Sequence, residues 1–161
     1  MSVWSDVMSA KLSVSGVVFK PEPTQTIGRS ERTRAEILDA AFRFLWSHSF
    51  RDMTINKLMG LTSISRPSFY NYFADTHELM ESLLAILESD VLVSVNPWLC
   101  DDGDPVALLH QSLAAEVRIC YRCGPFLKAV TDAAGTDARV EAGWYEMLDR
   151  FDDAVSERIA A

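Results

Sequence analysis

The sequence predicts an all-α fold, and three observations predict it. From Ser30 onward the apolar residues recur at helical spacing. The helical stretches open on residues suited to N-caps, among them Thr54, Ser65, Asp75 and Asp137. No stretch after residue 30 alternates as a half-buried strand does.

Residues 1–28 carry Pro21, Pro23, two glycines and scattered Ser and Thr, and read as a mostly disordered arm. In the first helix Ile37, Leu38, Ala41, Phe44 and Leu45 share one face, and the helix ends between Ser47 and Phe50. Thr54 caps a short second helix through Met59, with Ile55 and Leu58 inward. Gly60 to Ile64 form a turn. Ser65 caps a third helix with Pro67 in its first turn, where a missing N–H costs nothing. Asp75 and Glu78 form a capping-box pattern at the start of a fourth helix. Its stripe is Leu79, Leu83, Ile86, Leu87 and Val91, and Asn96-Pro97 is expected to stop it. Val106, Leu109, Leu113, Val117 and Cys120 mark the apolar face of a further helix, expected to end at Gly124-Pro125. Phe126 to Ala134 reads as a shorter helix of its own. Asp137 opens the last helix, striped by Val140, Trp144, Met147, Leu148, Phe151 and Val155.

Composition bounds the function. The chain has 161 residues, 48% of them hydrophobic, enough for a packed core in one or two small domains. Three cysteines are too few for a disulfide scaffold, and the apolar runs read as too short to span a bilayer. No basic start with an apolar run marks a secretory leader, so the expectation is a soluble cytoplasmic protein away from membranes. The formal net charge of −8 argues against nucleic acid, but it is unevenly distributed. Residues 1–74 hold nine Lys and Arg against six Asp and Glu, a balance of +3. Residues 75–161 hold six against seventeen, a balance of −11.

Three short helices within residues 29–74, the last two joined by a tight turn, read as a helix-turn-helix DNA-binding domain. The third helix of such a unit fits the major groove. Hydroxyls at caps and N–H groups at helix starts hold phosphate oxygens. Thr54, Ser65 and Ser68 offer such hydroxyls. Arg66 can read guanine or hold phosphate, and Asn71 can pair with adenine. Tyr70 and Tyr72 can pack on the sugar-phosphate backbone, or serve as core aromatics. Residues 75–161 read as a helical regulatory domain, with 75–95 as the linking helix. Its large side chains Trp98, Tyr121, Phe126, Trp144, Tyr145 and Leu148 are core at helical spacing, or the lining of an apolar ligand cavity. Cys120 and Cys123 have no strand before them and no second pair, so neither redox nor zinc use is expected. No phosphate loop, nucleophile triad or paired-carboxylate pattern points to an enzyme, and no cofactor or metal is called for.

The runs Arg34-Ala-Glu-Ile-Leu-Asp-Ala-Ala-Phe, Thr54-Ile-Asn-Lys-Leu and Ile64-Ser-Arg-Pro-Ser-Phe-Tyr-Asn-Tyr-Phe73 together resemble the DNA-binding domain of TetR/AcrR-type transcriptional regulators. The likeness covers roughly residues 30–90. The remainder is loosely similar to the regulatory domain of the ethionamide-resistance repressor group. The resemblance implies a homodimeric repressor on double-stranded DNA at a palindromic operator, released by an apolar small-molecule effector. It places Arg66, Pro67, Ser68, Tyr70, Asn71 and Tyr72 on DNA, and Arg34 and Thr54 near phosphates. Thr76 stands where the family often carries a phosphate-binding Lys. Thr62-Ser63 replace the usual Ala-Gly before the third helix, where a positive φ would cost more with Ser. Family members continue through two more helices that build the dimer. Ending at Ala161, the sequence reads as C-terminally short, which puts the homodimer in question.

Overall fold

The computed structural model describes residues 28–160, so the expected arm lies outside the described residues apart from Gly28. Those residues form six α-helices with no strand. They are α1 (Arg29–Leu45), α2 (Ile55–Met59), α3 (Arg66–Phe69), α4 (Thr76–Cys100), α5 (Pro105–Ala134) and α6 (Ala138–Ala160). A 3-10 turn at Phe50–Asp52 follows α1.

The expected caps account for the helix starts. Thr54 Oγ1 accepts from Lys57 N at 3.3 Å and Ser65 Oγ from Ser68 N at 3.3 Å. Asp75 Oδ1 accepts from Glu78 N at 2.8 Å, and Glu78 reaches back to Ala74 N at 2.6 Å. Asp137 Oδ1 accepts from the backbone of Arg139 and Val140. Except for the bond from Ala74, which precedes its helix, each satisfies a donor that the helix itself leaves open.

The core is continuous across the chain. Ile37, Leu38 and Leu45 of α1, Leu58 of α2, Phe69 of α3 and the neighbouring Phe73 join Leu79, Leu83 and Leu87 of α4. The same cluster runs on through Ile119, Phe126 and Val130 of α5 to Val140 and Met147 of α6. Phe42 on α1 meets Phe126 on α5 with ring centroids 5.2 Å apart. Helices α4, α5 and α6 pack on one another most extensively.

Four expectations are corrected. Pro97 does not stop α4, which continues to Cys100. Pro125 does not divide α5, which is one helix of 30 residues. Proline removes the bond to the carbonyl four residues back. Those carbonyls belong to Val93 and Tyr121, two exposed residues on solvent-facing sides of their helices.

The third correction is rotational. Val106, Leu109, Leu113 and Val117 lie on the outside of α5, not the inside, while Cys120 is exposed at the rim of the side that faces α4 and α6. The buried face is Ser112, Ile119, Cys123, Phe126, Ala129, Val130 and Ala133. Phe126 locks against Phe42 in the C-terminal half. Because the helix is unbroken, its N-terminal half must follow that rotation. Ser112 Oγ is thereby buried without a hydrogen-bond partner.

The fourth concerns length. By length and composition α4 is long and apolar enough to cross a membrane. Glu88 and Asp90 interrupt it in the sequence and hide this. Here Leu79, Met80, Leu83, Leu84, Ile86, Leu87 and Val95 are buried among the other helices.

Candidate nucleic-acid interface and bundle cavity

The turn between α2 and α3 is built from side chains. Ile64 N donates to Thr62 Oγ1 at 3.1 Å, and Thr62 Oγ1 donates to the Met59 carbonyl at 3.3 Å. Ser63 N and Oγ both donate to Glu36 Oε1 at 3.4 Å, tying the turn to α1. Among the described residues none has positive φ. The strain expected at Thr62-Ser63 is therefore absent, because the hydroxyls make a turn that needs no left-handed residue.

That turn sets α3 on the surface. Phe69 and Phe73 are buried and fix its inner side. Ser65, Arg66, Pro67, Tyr70 and Asn71 are exposed, and Ser68 is half-buried. Arg66 Nη2 donates to Tyr70 Oη at 3.3 Å with its guanidinium over the Tyr70 ring, so the two side chains form one platform. Ser65 Oγ and Ser68 Oγ lie 2.9 Å apart at the helix start. Tyr72 is half-buried against the core. Thr54 is exposed at the start of α2, and Thr76 is half-buried in the first turn of α4.

Arg34 is placed otherwise than its motif position suggests. Its Nη2 donates to Ser82 Oγ at 3.1 Å and its guanidinium lies over the Phe73 ring, 5.1 Å from the centroid. It joins α1 to α4.

The cavity that the sequence left open exists. About 210 Å³ lies between α4, α5 and α6, almost wholly apolar in lining. Of the six residues singled out for it, Trp144 and Leu148 line it. Phe126 is core, 1% exposed, and Tyr121 is 89% exposed on the outside of α5. Tyr145 also faces outward, and the Trp98 carbonyl accepts from Arg158 Nε at 3.0 Å. These four are corrected as lining residues. The rotation of α5 places Tyr121 and Phe126 and the length of α4 places Trp98, while Tyr145 lies on the outer side of α6 next to the lining residue Trp144. The lining that the sequence did not reveal includes Leu87, Val91, Ile119 and two carboxylates, Glu88 and Glu116.

The two carboxylates differ. Glu88 is ion-paired with Arg150, Oε1 to Nε at 2.5 Å and Oε2 to Nη2 at 2.8 Å. Glu116 is bonded to Ser94 Oγ, and burial holds its carboxyl above the usual carboxylate range. Burial also pushes the Cys123 thiol up, away from the thiolate form.

A knot of charges ties the first turn of α4 to the start of α6. Arg139 bonds Glu81 through Nε at 2.6 Å and Asp75 through Nη1 at 3.0 Å. His77 Nε2 meets Asp137 Oδ2 at 2.8 Å. The backbone N–H of Glu78 and then Arg139 hold Asp75 below its ordinary pKa, and the bond to His77 does the same for Asp137. No local pattern signals this knot, since its members are brought together from 58 to 64 residues apart.

No family model matches the sequence, and no curated protein is similar to it.

Proposed function

We propose that the protein is a DNA-binding transcriptional repressor of the TetR/AcrR type, with α2 and α3 as its helix-turn-helix and α4–α6 as its regulatory bundle. The observation that carries this is the outer side of α3. Arg66, Tyr70 and Asn71 stand exposed beside the capping hydroxyls of Ser65 and Ser68. They project from a segment, residues 28–74, with seven basic and four acidic side chains. Those are groups that read base edges and hold phosphates at one helix end.

The cavity supplies the regulatory half. Leu87, Glu88, Val91 and Leu92 of its wall belong to α4, whose first turn directly follows the α3 segment. The opposite wall is α6, whose start holds that first turn through Arg139 and Asp137. A ligand that fits one arrangement of α4 and α6 better than another shifts α3 between binding and non-binding placements. In a pair of subunits on a palindrome this changes the spacing of the two α3 helices. Titration with DNA from upstream of the protein's own gene, at two salt concentrations, tests the reading.

A second reading is favoured by the outside of α5. Val106, Leu109, Leu113, Val117 and Tyr121 form an exposed apolar row. Rows of this kind mark protein-interaction surfaces. In that reading the chain acts by pairing with another regulator and has no DNA affinity alone. Sedimentation separates the two. A dimer that shifts an operator supports the first, and a monomer without specific DNA affinity supports the second.

A further inference from the structure

We infer that the outer face of α5 is an interface between two copies of this chain, in which the two α5 helices run antiparallel about a two-fold axis near Leu113. The contact goes beyond the proposed function and needs neither DNA nor a ligand.

The row itself suits a helix partner. Leu109, Leu113, Val117 and Tyr121 stand four residues apart, and Val106 extends the series toward the helix start. Such a series is a ridge, and it packs into the groove beside the matching ridge of a second helix. From Val106 to Tyr121 it runs about 22 Å along α5. Val106, Val117 and Tyr121 are 64%, 67% and 89% exposed, so the other described helices leave the row uncovered.

Charge says what covers it. Asp101, Asp102 and Asp104 stand exposed at the N-terminal end of the row, and Arg118 and Arg122 at its C-terminal end. Between Pro105 and Val117 the ionisable residues are His110 and Glu116, and Glu116 is bonded to Ser94 of α4. The face is thus negative at one end, apolar along its length and positive at the other. Two copies laid parallel put like charge beside like. Laid antiparallel, they put the aspartates of each copy beside the arginines of the other, and symmetry makes the match twice. Leu113 is the middle member of the row, and Asp104 and Arg122 lie nine residues to either side of it. An axis near Leu113 therefore brings Asp104 level with the partner's Arg122. A face complementary to itself needs no second kind of protein.

The test is sedimentation equilibrium of the full chain, without DNA, over micromolar to hundred-micromolar concentrations. A monomer–dimer equilibrium with a micromolar Kd is expected, as suits an interface at the small end of the range. Leu113→Glu puts two like charges at the axis and should weaken the dimer about tenfold or more. Arg118→Glu with Arg122→Glu should also weaken it about tenfold. Adding Asp101→Arg and Asp102→Arg to that double variant should win back about fivefold, because exchanging the charges keeps the antiparallel match. Asp104 is left in place because it caps α5, accepting from Ala107 N at 3.2 Å. Circular dichroism checks that each variant keeps its helix content, and the charge exchange serves if Leu113→Glu does not fold. A chain that stays monomeric overturns the inference, whether residues 1–27 or another protein covers the row. So does a dimer indifferent to Leu113→Glu or to the arginine reversals, or one that the exchange does not restore. Because no DNA is present, failure here leaves DNA binding to its own titration, and failure there leaves the dimer standing.

Discussion

Phe126 and Tyr121 sit five residues apart on α5 and behave in opposite ways. Phe126 is enclosed against Phe42, while Tyr121 stands in solvent. Phe126→Ala should lower stability by about 3–5 kcal/mol, as large core truncations do. Tyr121→Ala should stay within about 0.5 kcal/mol. Urea midpoints compare them directly. Ser112 gives a prediction of the other sign. Its buried hydroxyl has no partner, so Ser112→Ala should be neutral or stabilise by up to about 1 kcal/mol. The cysteines divide similarly. Cys100 and Cys120 are exposed and Cys123 is buried. A thiol reagent should label two cysteines in the folded protein and all three in urea. At this scale the capping residues were legible, because a cap is a local event of three or four residues. Thr54, Ser65, Asp75 and Asp137 each hold the backbone N–H that their positions promise. Arg34 was not, because its partners Ser82 and Phe73 are brought to it by packing.

At the scale of elements, apolar periodicity located the helices but not their rotation. In α1 and α6 one apolar stripe exists and it faces the core, while α4 is apolar nearly all round and buries the side that meets the other helices. In α5 a second apolar row competes, and contact with Phe42 decides which row is buried. The buried row Ile119, Cys123, Phe126, Val130 and Ala133 shows only when α5 is read as one helix across Pro125. The prolines misled for a related reason. A missing bond is cheap where the freed carbonyl faces water, and exposure is a tertiary property. The knot between α4 and α6 makes a pH prediction. Asp75 and Asp137 both have lowered pKa values in the folded chain. Their contribution to stability is therefore present above the ordinary carboxylate range. It is lost as pH falls through their lowered folded values. Urea midpoints should drop on acidification below about pH 4. Arg139→Ala should flatten part of that drop, since Arg139 is one of the groups that stabilises ionised Asp75. An acid limb unchanged by the substitution would show that the Arg139 side chain contributes nothing to it.

At the scale of the molecule, a net charge of −8 conceals a segment of opposite sign. The structure gives that segment a surface. α3 is held from within by Phe69 and Phe73, and turns Arg66, Tyr70 and Asn71 outward. The balance of +3 is modest, so under the proposed function non-specific attraction to DNA is weak and specificity comes from side chains at the groove. The cavity lies along the middle of α4, whose first turn follows that surface. The all-helical class was legible from periodicity and caps. The cavity was not, because its lining comes from three helices whose rotations only the packed core sets.

The most direct measurement is binding of the protein to DNA from upstream of its own gene, at 50 and 200 mM salt, with Arg66→Ala alongside. The account predicts a saturable complex that weakens by about 30-fold or more across that salt range. It also predicts a loss of about 1–3 kcal/mol in Arg66→Ala with the fold unchanged. Absence of salt-sensitive binding to any duplex, or an Arg66→Ala variant that binds as well as the unsubstituted protein, would contradict it.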